Sequence, residues 1–73
     1  MDYLEVCKPL WDKYMITRNL AMAVHSWYVR NIPEMSGAKI LAWSWRTDYL
    51  YEQSEIEYRA YIAAREELDA KSA

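Results

Sequence analysis

Apolar residues recur along most of this chain at spacings of three and four, with no sustained alternation, which is the period of amphipathic helix rather than strand. One stretch breaks the pattern: Asn31-Ile32-Pro33-Glu34-Met35-Ser36-Gly37 gathers a proline, a glycine and good capping residues. The pattern therefore predicts two helices joined by a short turn, an all-α helical hairpin. Asp2-x-x-Glu5 opens the first helix as a capping box, while Pro9 falls too deep to be harmless because its ring meets the carbonyl of Glu5. The expected elements are a first helix over about 2–31 with a break near 8–9, a turn over about 31–37 and a second helix over about 37–71. Together they make one domain over residues 1–73.

On a helical wheel the first helix carries three apolar stripes. Leu10, Tyr14, Ala21, Val24, Tyr28 and Ile32 form one; Trp11, Met15, Met22 and Val29 form another; Ile16, Leu20, Ala23 and Trp27 form the third. One neighbouring helix covers one stripe, so the other two call for another chain. In the second helix Ala38, Ala42, Trp45, Tyr49, Ile56, Ala60 and Ala63 read as the principal packing face, interrupted by Glu52 and Gln53. A secondary stripe of Trp43, Leu50, Tyr61 and Leu68 lies about 120° away. These surplus stripes predict completion of the hairpin by homo-oligomerisation into a bundle, a dimer first, with the polar gap at Glu52 and Gln53 specifying the pairing.

Helix lengths add a second expectation. At 1.5 Å per residue the second helix runs roughly 50 Å and the first, from Pro9, roughly 35 Å. Folded about residues 32–33, Pro9 lies opposite Ile56, and residues 57–71 overhang unless the segment before Pro9 covers them.

Composition narrows the function. The 73 residues are 53% hydrophobic and 27% charged with one glycine, which excludes disordered and low-complexity classes. No apolar run approaches the roughly 20 residues of a membrane span, and no secretory leader pattern opens the chain, so a cytoplasmic protein without a membrane partner is expected. A net charge of −2 argues against nucleic acid, whose binders cluster Lys and Arg. The single Cys7 and single His25 offer no disulfide framework and no Cys/His metal spacing. With no Glu-x-x-His pattern, phosphate loop or nucleophile elbow, neither a cofactor nor an enzymatic activity is expected.

The aromatic inventory is unusual: seven Tyr, four Trp and no Phe. Such amphipathic rings are enriched in protein interfaces and ligand-stacking sites, although a small core short of aliphatics could use them too. Trp43, Leu50, Tyr51, Tyr58, Tyr61 and Arg65 are the expected partner-binding surface, because the overhang beyond Ile56 has aromatics framed by charge. Tyr14, Arg18, His25, Asp48 and Glu52 form a second candidate group. There the expected role of Arg18 is a register-fixing ion pair with Asp48 or Glu52, and the competing role is an anionic or planar ligand site. The functional expectation is a small non-enzymatic interaction protein that binds and inhibits or scaffolds another protein, the kind of composition associated with inhibitors and adaptors, including virus-encoded ones. The alternative is an oligomer sequestering a small molecule with Arg18, His25 and neighbouring aromatics.

Overall fold

The computed structural model describes residues 2–72; Met1 and Ala73 of the expected domain lie outside that range. Helix α1 spans Tyr3–Val6, α2 spans Lys8–Asn31, a single 3-10 turn covers Ile32–Glu34, and α3 spans Gly37–Ser72. The described chain is all-α: two long helices with a short N-terminal helix. It is a rod, with Cα extents of 55 × 14 × 12 Å and a radius of gyration of 16.6 Å. A compact chain of this length would have a radius of about 11 Å.

Local chemistry sets each boundary. Asp2 caps α1, its carboxylate accepting from the Glu5 amide at 3.1 Å. Pro9 has no amide to give Glu5, so the helix breaks at Cys7, whose own amide still donates to the Tyr3 carbonyl at 2.8 Å. At the other end Pro33 sits inside the 3-10 turn, Met35 is extended, and Ser36 caps α3 by accepting from the Lys39 amide. The 3-10 turn lengthens the first arm, moving the pivot from the expected 32–33 to about Ser36. Trp11 packs on Tyr61 and Tyr14 on Tyr58, both pairs symmetric about that residue.

The seam between α2 and α3 keeps a seven-residue repeat. On α2 and its N-cap the buried or half-buried positions include Cys7, Leu10, Tyr14, Thr17, Ala21, Val24 and Tyr28. On α3 they include Ile40, Trp43, Thr47, Leu50, Ser54, Glu57, Tyr61, Ala64 and Leu68. Alternating steps of three and four keep one face of each helix toward the other. Small residues let the backbones approach, and the fully buried Ala21 and Cys7 take that role on α2. Thr47 and Ser54 are buried without loss because their hydroxyls donate to the carbonyls of Trp43 and Tyr51, at 2.9 and 2.8 Å.

This arrangement corrects the expected face of the second helix. The stripe running from Ala38 through Trp45, Tyr49 and Ile56 to Ala63 is exposed, and the stripe of Trp43, Leu50, Tyr61 and Leu68 packs toward α2. Hydropathy ranked the two stripes wrongly because Thr47 and Ser54 look polar yet satisfy themselves. The overhang is also corrected: Trp11 and Tyr14 reach residues 58–61, and α1 folds over Tyr61 through Tyr3.

Candidate functional site

Six of the residues expected at a partner surface fall into two groups. Trp43, Leu50 and Tyr61 belong to the seam: Tyr61, only 5% exposed, is corrected from surface to core, and Trp43 and Leu50 are half-buried there. Tyr51, Tyr58 and Arg65 lie one heptad apart along the flank of α3 and are exposed. Facing them across the seam is the α2 row of Trp11, Arg18 and His25, also one heptad apart. His25 meets Tyr51 edge-on, with ring centroids 5.9 Å apart, and Tyr14 meets Tyr58 at 5.1 Å. One edge of the hairpin is thus an aromatic row punctuated by cationic or titratable side chains.

At the end far from the turn this edge closes into a cluster. Tyr61 stands at its centre, with Trp11 at 5.1 Å, Tyr3 at 6.3 Å in a T-shaped contact and Tyr58 at 6.4 Å. The Tyr3 and Tyr61 hydroxyls share a hydrogen bond of 2.9 Å. That bond pushes the Tyr3 phenol above the usual tyrosine value. Partial loss of hydration and the nearby ionisable Tyr61 and Cys7 add to the rise, while Arg65 opposes it.

The second candidate group does not assemble. Arg18 is exposed and stands over the Tyr14 ring, its guanidinium carbon 6.0 Å from the centroid. The expected pair with Asp48 or Glu52 is absent among the described residues, whose ion pairs are the exposed i,i+4 contacts Lys8 with Asp12, Glu55 with Arg59 and Glu67 with Lys71. The pivot explains the discrepancy: symmetry about Ser36 sets Arg18 level with Ser54, about two helical turns from Asp48. Asp48 and Glu52 point into solvent. No group of three or more His, Cys, Asp or Glu among the described residues could hold a metal ion, and no helix is long and apolar enough to cross a membrane.

A feature that the sequence reading passed over lies on the opposite edge. Trp27 packs on Trp43 with centroids 4.6 Å apart, and the Arg46 guanidinium stands 4.7 Å from the Trp43 ring centre. Beside them an open groove of about 340 Å³ is lined by Val24, Trp43, Trp45, Arg46, Tyr49 and Leu50. A shallower one of about 230 Å³ continues along Ala23, Val24, Trp27 and Trp43. Trp45 is 65% exposed and Tyr49 60%. The signal for this edge was present in the third stripe of the first helix and in the stripe read as the packing face of the second.

Set against protein-family models, curated proteins and solved structures, the chain matches none of them.

Proposed function

We propose that this chain is a small non-enzymatic interaction protein that binds another protein, inhibiting or scaffolding it, through helical surfaces rich in Tyr and Trp. One observation carries the reading. Among the described residues the buried hydrophobic side chains are Cys7, Ala21 and Tyr61, whereas Ile16, Leu20, Trp45, Tyr49 and Ile56 are half or more exposed. A chain that displays more large apolar side chains than it hides has surface to lose to a partner. For the heterologous partner the edge of Tyr51, Tyr58 and Arg65, with Trp11, Arg18 and His25 beside it, has the Tyr, Trp and Arg chemistry of interface hot spots. A virus-encoded inhibitor working in the cytoplasm is one form of this reading.

The test is a photo-crosslinking residue at position 58, used in the native host and followed by identification of the captured protein. Capture that the paired substitutions Tyr51→Ala and Arg65→Ala abolish, with helical circular dichroism retained, supports the reading. Capture that is indifferent to those substitutions refutes this edge.

The Trp-lined groove favours a second reading, sequestration of a planar anionic molecule between chains, with Arg46 in place of Arg18 as the cation. Native mass spectrometry of the purified protein separates the two, since a small-molecule adduct belongs only to the second.

A further inference from the structure

The groove edge is two-sided. On α2 it shows the exposed stripe Ile16, Leu20, Ala23 and Trp27; on α3 it shows Trp45, Tyr49 and Ile56, flanked by alanines at 38, 42, 60 and 63. Trp27 and Ala23 line the same run of grooves as Trp45 and Tyr49, so both stripes belong to one face.

Each stripe also has a centre. On α2 the steps are four, three and four, centred between residues 21 and 22. On α3 the pairs Ala38 with Ala63, Trp45 with Ile56 and Tyr49 with Glu52 are each centred between residues 50 and 51, with alanines outermost and Glu52 the one polar position. The hairpin register, symmetric about Ser36, sets residues 21–22 level with residues 50–51. Two stripes on different helices therefore share one centre. A closed, isologous pair requires that, because a single two-fold axis must map every contact onto itself.

We propose that this face is closed by a second copy of the chain, packed antiparallel about a two-fold axis at the level of residues 21–22 and 50–51. The proposal rests on the reading of the chain as an interaction protein, and it commits the Trp45 and Tyr49 face to self-association while the Tyr51 and Tyr58 edge stays open. Around that axis Leu20 meets the partner's Ala23, Ile16 meets the partner's Trp27, and Trp45 meets the partner's Ile56. Ala38 comes opposite the partner's Ala63, where small side chains let the helix ends close. Glu52, the polar break in the stripe, comes beside the partner's Tyr49, whose hydroxyl donates to its carboxylate.

Surface area agrees with this occupant. The chain exposes 5509 Å², where a compact protein of its mass exposes about 4,800 Å². The surplus of about 700 Å² is close to the roughly 800 Å² that each partner contributes to a standard interface.

The test combines mass with cross-linking. Light scattering at 100 μM should give twice the 8.8 kDa chain mass, and Trp45→Asp should return the single-chain mass with its helical signal intact. The double variant Ala38→Cys with Ala63→Cys should oxidise to one covalent dimer without a ladder of larger species. Its two thiols lie on one helix roughly 37 Å apart and cannot join within a chain, and Cys7 is buried. Each single variant should fail to cross-link. A parent protein that stays at single-chain mass overturns the self-association and leaves the Tyr51 and Tyr58 edge to its own test. Efficient cross-linking by Ala38→Cys alone means parallel pairing and overturns the axis, as does a mass of three or more chains.

Discussion

The Tyr3 and Tyr61 hydroxyls meet at 2.9 Å across a separation of 58 residues, tying the N-terminal turn to the distal third of α3. Without that contact α1 would have little to hold it, since it is four residues long and has no buried residue of its own. The same ring pair fixes how far the short arm of the hairpin covers the long one.

The pH dependence of this bond follows from the raised Tyr3 phenol. A group whose folded pKa lies above its unfolded value stabilises the fold fully below the unfolded value, about 10 for tyrosine, and that contribution is lost as pH rises through the folded value. The parent should therefore melt more steeply than Tyr3→Phe as pH climbs past 10, with the two curves parallel at neutral pH. Thermal melts between pH 7 and 11.5 check this.

Ala21 has no exposed surface, and its place in the seam is set by the approach of two backbones. Ala21→Leu should cost about 1–3 kcal/mol by forcing the helices apart. Urea titration followed by circular dichroism measures it. An unchanged midpoint would mean the seam is looser than the repeat implies.

Arg18 makes no ion pair among the described residues and lies in solvent over Tyr14. Arg18→Ala should therefore cost under about 1 kcal/mol, the scale of an exposed cation–π contact. A cost of several kcal/mol would restore the buried-pair role expected from the sequence.

Tyr58 and Tyr61 should now separate. Tyr61→Ala removes the centre of the aromatic cluster and should cost about 3 kcal/mol of stability or more. Tyr58→Ala should cost less stability and weaken partner binding by about 2 kcal/mol. Chemical denaturation and a binding isotherm on the same two variants distinguish the core role from the surface role.

Glu57 holds a seam position, and its Oε2 atom is buried without a hydrogen-bond partner. Glu57→Leu should raise stability by about 1 kcal/mol, because a desolvated acceptor with no donor is removed from the helix contact. A shift of the denaturation midpoint to lower urea would overturn that.

Much of the fold was legible in the chain itself. The three-and-four spacing, Asp2 at the first cap, Pro9 at the break and the Pro33 to Gly37 punctuation determine two long helices, a short leading one and a turn, since each acts through backbone geometry within a few residues. That Leu10, Tyr14, Ala21 and Val24 share one face of the first helix was legible for the same reason, but which of its three stripes meets α3 was not. Register and the choice of face on α3 were not. A 3-10 turn of three residues moves the pivot, and because the arms are antiparallel each residue of pivot shift moves the facing pairs by two. That separates Arg18 from Asp48 and brings Tyr58 and Tyr61 under Tyr14 and Trp11. The inner face of α3 was decided by close approach: Thr47 and Ser54 can be buried because their hydroxyls return to their own helix, leaving Trp45 and Tyr49 outside. Hydropathy sums side-chain preferences one residue at a time, whereas two helices in contact select for small volume and satisfied hydrogen bonds together.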